Sequence, residues 1–282
     1  MKTTVSYHRI LVLIACLSIV FSPSIVHAQW TESNGPQGEF CYDLIENAGV
    51  LYAGTNTAGV MKSTDSARTW VDVNAGLTDT AVYSLVFKGT VLYAGTPSGL
   101  YSSTNVGTTW TKVSTFTSSY VFSITTDGTR LYAGTRDGIY ISSNNGTSWT
   151  KPTSVLGFVI KVKIIGSSVY ACTIDNYMYK STDFGATWLH IDSVNNGLNC
   201  KYVNAIANVG STLFAGTYYG SADLNINKVG LYRSTNNGLT WVQISKPTLN
   251  VVSLISIGST LYVSGYEMEV YSSKDNGATW QN

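Results

Sequence analysis

The chain has 282 residues, of which 12% are charged, and a formal net charge of +1. That balance gives no electrostatic reason to expect nucleic acid or an anionic membrane surface as a partner. Few charges beside 26 glycines and 19 tyrosines fit an all-β exported domain.

The first element in chain order reads as a leader. Lys2, His8 and Arg9 precede an apolar run from Ile10 to Phe21, and Val26-His27-Ala28 places a small residue before a cut. Residues 1–28 are therefore expected to be a cleaved signal peptide, leaving Gln29 as the new N-terminus. Leu13-Ile14-Ala15-Cys16 also fits a lipoprotein lipobox, over a short apolar stretch. No later segment has the roughly 18 continuous apolar residues of a membrane span. Secretion, or residence at the cell surface or in the periplasm, is the expectation.

From residue 63 onward one short pattern recurs six times: Ser-x-Asp/Asn-x-Gly-x-Thr/Ser-Trp. Its third position is Asp65, Asn105, Asn144, Asp183, Asn236 and Asp275, and its last is Trp70, Trp110, Trp149, Trp188, Trp241 and Trp280. An Asp or Asn there accepts hydrogen bonds from the turn's own N–H groups. The glycine two places later supplies a positive φ, and Ala67 in the first copy should make that turn the most strained. The tryptophan brings a large apolar area to a small repeat. These carboxylates read as turn fasteners, not acid/base groups.

The box tryptophans lie 40, 39, 39, 53 and 39 residues apart, the length of one four-stranded propeller blade. In the second unit the strands are expected at Val82–Lys88, Val91–Thr96, Leu100–Ser103 and Trp110–Val113. The second strand recurs as Leu51-Tyr-Ala-Gly-Thr, Leu92-Tyr-Ala-Gly-Thr and Leu131-Tyr-Ala-Gly-Thr, decaying to Val169-Tyr-Ala-Cys-Thr, Leu213-Phe-Ala-Gly-Thr and Leu261-Tyr-Val-Ser-Gly. Short strands at a fixed period predict an all-β fold, a β-propeller of four-stranded antiparallel blades. Six blades are visible, with a truncated seven-bladed ring as the alternative, and residues 29–282 form one domain. Gln29-Trp30-Thr31 looks like the start of a fourth strand without its box. Ten tyrosines fall at repeat positions and read as blade packing, which leaves off-repeat Tyr218, Tyr219 and Tyr266 as the informative ones.

The octapeptide resembles the Asp-box of bacterial sialidases and other BNR-repeat β-propellers, where the box is structural and lies away from the active site. The longer unit Gly-x-Tyr-x-Ser-Thr-Asp/Asn-x-Gly-x-Thr-Trp is also similar to sortilin-type receptors and photosystem assembly-factor propellers, which bind peptides or proteins. A sialidase would need an Arg-Ile-Pro motif and three converging arginines. The mature chain has Arg68, Arg130, Arg136 and Arg233 and no Arg-Ile-Pro. Arg136 alone is expected on the face opposite the boxes.

Three cysteines follow the leader: Cys41, Cys172 and Cys200. An odd number cannot all pair within one chain. Cys172 reads as a small buried hydrophobe, and spacing alone does not support a Cys172–Cys200 bridge. No Cys/His cluster has zinc spacing, so neither metal nor cofactor is expected.

In an antiparallel blade the boxes mark one face, and the loops between second and third strands share the other face with the crossovers. The fifth unit is lengthened twice on that second face, at Tyr218–Lys228 and in the crossover Asp192–Lys201. Insertions on one face of a repeat array mark binding surfaces. The candidate ligand-binding residues are Tyr218, Tyr219 and Asp223 there, with Arg136, Asp175, Tyr266 and Glu267 on neighbouring loops. The expected function is binding of a glycan, a peptide or a cell-surface protein, with a glycoside hydrolase or a purely structural repeat as alternatives.

Overall fold

The computed structural model describes residues 35, 40–155, 157–219, 228–247, 250–267 and 269–282. The leader, Gln29-Trp30-Thr31 and Asp223 lie outside the described residues. The strands form six antiparallel sheets, each made of strands consecutive in sequence, arranged as a six-bladed ring. Blade two comprises Ser84–Lys88, Val91–Thr96, Gly99–Ser103 and Thr111–Lys112. In blades three and six the fourth strand is reduced to the single bridges Ile141↔Thr150 and Ser272↔Gln281. The first strands of successive blades pack on one another, so they line the centre of the ring.

The expected first strand of blade two started two residues too early. Val82 instead donates its N–H to the Thr55 carbonyl of blade one, at 2.8 Å. The ladder begins at Ser84, opposite Gly95. In blades one, four, five and six the pairing register shifts at the matching point, between Cys41 and Asp43, Val159 and Lys161, Val203 and Ala205, and Val251 and Ser253. Such a bulge re-aims the extra residue and tightens the local twist.

Each box is a closed hydrogen-bond network. In blade four Ser181 Oγ donates to Asp183 Oδ1 at 2.8 Å and accepts from the Gly185 N–H at 2.7 Å. Asp183 Oδ1 accepts from the Thr187 N–H at 2.8 Å, and Oδ2 from the Thr187 hydroxyl at 2.5 Å. Asn boxes keep this geometry with one bond reversed: Asn105 Nδ2 donates to Thr109 Oγ1 at 2.9 Å. The box glycines have positive φ, as expected, and so does the residue before each, bulky Val106 (52°) and Phe184 (60°) included. In box one Ala67 is forced to φ 68°. The Trp70 indole N–H, buried, has no hydrogen-bond partner there, whereas Trp188 Nε1 donates to the Gly185 carbonyl at 3.0 Å.

Blades join through two devices. The glycine of the second strand admits the first strand of the next blade: a Cβ on Gly95 would lie 2.6 Å from the Val121 carbonyl oxygen, and one on Gly134 2.8 Å from Val159 Cγ1. Blade four has Cys172 at this place, fully buried in a core shared with Val203. Burial pushes its thiol up to about 12, and no disulfide joins it to Cys200. The second device is a polar relay around the centre. Leu85 N–H donates to Asp43 Oδ2 at 2.7 Å, Ile124 N–H to Ser84 Oγ at 3.1 Å, and Val162 N–H to Ser123 Oγ at 3.1 Å. Packing thins at the seam between blades six and one: Tyr262 and Tyr271 are half-buried, whereas their counterparts Tyr170 and Tyr179 are buried.

Gly95→Ala should destabilise the fold by about 1–3 kcal/mol in chemical denaturation, because the added methyl overpacks a junction that has no room for it. Ser181→Ala should also cost about 1–3 kcal/mol, since it strands the buried Gly185 N–H. The Thr hydroxyl and Thr N–H of each box hold Asp65, Asp183 and Asp275 at about 2, below the ordinary 3.8 of an aspartate. Because these pKa values are depressed on folding, their contribution is complete above about pH 4 and is lost as pH falls toward 2. Replacing all three by Asn should flatten the acid limb of a Tm-versus-pH curve.

Candidate functional site

The hydrogen bonds fix which face is which. Arg130 lies at a turn between first and second strands, with its guanidinium 4.6 Å from the ring of Phe184 in the next box and an ion pair to Asp127 at 3.4 Å. Arg233 donates to the Asn276 carbonyl of box six at 3.1 Å. Both belong to the box face, Arg68 is within box one, and Arg136 stands on the other face.

On that other face the start of the first strand in blades one, two and three presents a side chain at the mouth of the central channel, at a bulge in blades one and three and just before the ladder in blade two. The successive residues are Tyr42, Tyr83 and Phe122. Their rings touch in sequence, with centroids 5.2 Å apart for Tyr42–Tyr83 and 5.5 Å for Tyr83–Phe122. Two residues earlier in blades three, four and five come Tyr120, Phe158 and Tyr202. Tyr120 packs on Phe122 at 6.0 Å. The Arg136 guanidinium sits 5.6 Å from the Tyr120 ring and 5.4 Å from Phe158. On the opposite arc Tyr218 packs against Tyr202 at 5.4 Å and Tyr266 at 5.9 Å. The two arcs make an aromatic collar.

The backbone builds this collar by one rule. The residue after the second strand donates its N–H to the carbonyl of the residue two before the bulge: Asn56 to Phe40 at 3.0 Å, Ile174 to Phe158 at 3.2 Å, Tyr218 to Tyr202 at 3.0 Å and Tyr266 to Asn250 at 3.0 Å. Those bonds bring three sets of side chains to one rim.

Most blade tyrosines, Tyr52 and Tyr262 excepted, have bonded hydroxyls, and the collar tyrosines do not. In the blades Tyr93 donates to the Asn145 carbonyl at 3.1 Å, Tyr132 to Asp127 at 2.8 Å and Tyr232 to the Lys228 carbonyl at 2.6 Å. Among the described residues none accepts from or donates to the hydroxyls of Tyr42, Tyr83, Tyr120, Tyr202, Tyr218 or Tyr266. Tyr42 is 50% exposed and Tyr266 67%. Burial pushes the Tyr83, Tyr202 and Tyr218 phenols up, so they stay protonated donors at neutral pH.

The expected site residues are distributed as follows. Tyr218 and Tyr266 share one contact, with Tyr218 half-buried and Tyr219 exposed beside it. The Tyr219 N–H donates to Asn250 Oδ1 at 2.7 Å, tying blade five to blade six. Glu267 is exposed next to Tyr266. Arg136 belongs to the other arc, and Asp175 lies over the backbone of Gly157, where a Cβ would come within 2.3 Å of its Oδ1. The long crossover into blade five does structural duty: Leu198 and Cys200 are fully buried, and Asn196 accepts from the Trp241 N–H at 2.7 Å. Tyr42, Tyr83, Tyr120, Phe122, Phe158 and Tyr202 were not singled out from the sequence. Their signal was a shared offset, with Tyr42, Tyr83 and Phe122 about one repeat apart.

The carboxyls whose ionisation the fold shifts all move toward the charged form. Burial opposes charge on Asp137, but the Lys151 ammonium at 2.8 Å and the hydroxyls of Ser118, Thr135 and Tyr140 hold it well below the usual range. No group of His, Cys, Asp and Glu among the described residues is arranged to hold a metal ion. No described helix is long and apolar enough to cross a membrane.

The same architecture occurs in solved structures of low sequence identity, which shows the fold alone. An ancestral GH74 enzyme superposes with a TM-score of 0.68 at 18% identity, over 86% of this chain and 38% of that one. The GH74 xyloglucanase from Xanthomonas campestris gives 0.62 at 17%, over 81% and 43%. YCF48 bound to D1 peptide gives 0.66 at 14%, over 88% and 82%. The chain thus spans under half the length of either GH74 protein. No curated protein matches the chain in sequence. A family model described as the DUF6242 beta propeller domain matches residues 27–247 and again 114–282, the overlap reflecting the internal repeat. By its six-bladed fold and by this match, the chain belongs to the DUF6242 β-propeller domain family.

Proposed function

We propose that this propeller is an exported, non-catalytic binding module whose collar on the face opposite the boxes takes an extended peptide or protein segment. The observation that carries the reading is that the ring-packed tyrosines of one rim all have unbonded hydroxyls, whereas among the repeat tyrosines of the blades only Tyr52 and Tyr262 do. A buried tyrosine ordinarily finds a partner for its hydroxyl. Here rings pack against one another while their hydroxyls and one guanidinium remain for a ligand, and such rigid aromatics make contact at low entropic cost.

Ring orientation favours peptide over sugar. Stacking on a pyranose needs a free flat face. Tyr42 and Tyr83 meet edge to face at 66°, Tyr218 and Tyr266 at 76°, and Arg136 covers faces of Tyr120 and Phe158. Edges and hydroxyls are what the collar presents, and these suit backbone amides and carbonyls. YCF48 is a similar propeller whose structure was solved with a peptide bound.

A glycoside hydrolase lacks support in the site. A general acid needs a carboxyl pushed up by its surroundings, and on this face Asp137 and Asp192 are both pushed down. Fluorogenic sialic-acid and xyloglucan oligosaccharide substrates should show no turnover above a heat-killed control. Robust hydrolysis of either would overturn the non-catalytic reading.

The binding reading is tested by probing peptide and glycan arrays with the protein and with a Tyr42→Ala/Tyr120→Ala/Tyr218→Ala variant. The variant should melt within a few degrees of the parent and bind the parent's peptide hits more than tenfold more weakly, a loss of about 1.4 kcal/mol or more. Hits confined to glycans, or peptide hits indifferent to the substitutions, would discard it. Export is checked by mass spectrometry of the mature protein, which should begin at Gln29. Lipid on Cys16 would replace simple cleavage with anchoring.

A further inference from the structure

We infer that the segment taken by the collar is acidic, and that Arg136, Lys161 and Lys163 form a cationic column that reads its carboxylates. The inference rests on the peptide-binding reading above and adds the ligand's charge.

Arg136 is positioned without being neutralised. Its guanidinium lies over the rings of Tyr120 and Phe158, and among the described residues no acceptor takes a hydrogen bond from its N–H groups. Arg130 is paired with Asp127 and Arg233 with a carbonyl, while Arg68, exposed in box one, is unbonded but has no ring beside it. A guanidinium held over two rings with its N–H groups unbonded is a preorganised fork for a carboxylate.

The column continues inward along blade four. Its first strand, Val159–Ile165, starts next to Phe158, so Lys161 and Lys163 follow the Arg136 site down the channel wall. At about 3.3 Å per residue, Phe158 to Lys163 spans roughly 16 Å. Val162 between the two lysines is buried between blades, whereas both lysines are exposed. This strand is the innermost of its blade, so the water they meet is channel water. Lys163 feels the charges of Lys161 and of Asp43. Blade one is opposite blade four in a six-membered ring, so the influence of Asp43 crosses the channel.

Asp43 does not neutralise the column. Its carboxylate accepts from the Leu85 N–H, the Ser84 hydroxyl and the Leu44 N–H, at 2.7, 3.1 and 3.1 Å. Of the acids on this face, Asp175 lies over Gly157, Asp137 beside Arg136 is paired with Lys151, and Glu267 is exposed beside Tyr266; no ion pair joins any of them to Arg136 among the described residues. Although Lys163 meets channel water, the surrounding wall leaves it poorly hydrated and lowers its pKa, and the Lys161 ammonium two residues away on the same strand adds repulsion. An anionic ligand would relieve both penalties. Aromatic rings above and three cations below define a ligand with apolar or amide surface and more than one carboxylate.

The test is fluorescence anisotropy with two labelled probes, a peptide of alternating Glu and Gly and its Gln-for-Glu counterpart, in low and moderate salt. The parent should bind the Glu peptide at least tenfold more tightly than the Gln peptide, and salt should close the gap. R136Q should lose about tenfold for the Glu peptide, and R136Q/K161Q/K163Q should bind both peptides alike. The K161Q/K163Q variant relieves like-charge repulsion, so its Tm should equal or exceed the parent's, which separates lost binding from lost fold. Equal binding of Glu and Gln peptides by the parent overturns the inference while leaving the collar reading intact. Charge-dependent binding that survives Tyr42→Ala/Tyr120→Ala/Tyr218→Ala sinks the collar reading instead. Binding of a sulfated oligosaccharide in place of the Glu peptide rejects the acidic peptide in favour of an anionic glycan.

Discussion

Every junction of the ring depends on how closely one blade can approach the next. At the second-strand glycines the neighbouring blade's first strand comes so near that a methyl group would meet a carbonyl oxygen or a valine methyl. These glycines do not have positive φ, unlike those in the boxes. Their role is space. With that space the inner strands reach one another, and the Asp43, Ser84 and Ser123 side chains can cap N–H groups of the following blade. The channel width, and hence the distance at which Lys163 senses Asp43, follows from the same approach.

The outer boxes and the inner collar are opposite consequences of one blade plan. At the box end the chain reverses through two successive left-handed residues, and the Ser, Asp/Asn and Thr side chains satisfy the freed backbone groups among themselves. That end is chemically saturated. At the other end the first strand bulges, and aromatic side chains are turned toward the channel mouth without partners for their hydroxyls. Polar groups left unbonded by a fold that satisfies most others are where a ligand gains most.

Charge is placed with similar asymmetry. The net charge near zero conceals a wall in blade four that carries Lys161 and Lys163 while acids such as Asp137 are tied to local hydroxyls and Lys151. An even overall balance therefore excludes long-range steering by a large field but not a local anion-reading surface.

The sequence by itself determined the repeat, the strand order within each blade, the box chemistry and the side of the ring on which Arg136 stands, because each depends on residues within about forty positions of one another. Turn preferences and the two-residue strand period act at that range. It also set Tyr218, Tyr219 and Tyr266 apart from the repeat tyrosines of the blades. What only the tertiary structure decided was which off-repeat residues meet. Tyr42, Tyr83 and Phe122 touch because the starts of three first strands point at one mouth, and Arg136 lies over Phe158 because blade three ends its second strand beside the start of blade four. The long crossover into blade five looked like a loop on length alone. Leu198 and Cys200 became core when the neighbouring blades closed over them. Such contacts depend on closure of the ring, a constraint that local sequence patterns do not carry.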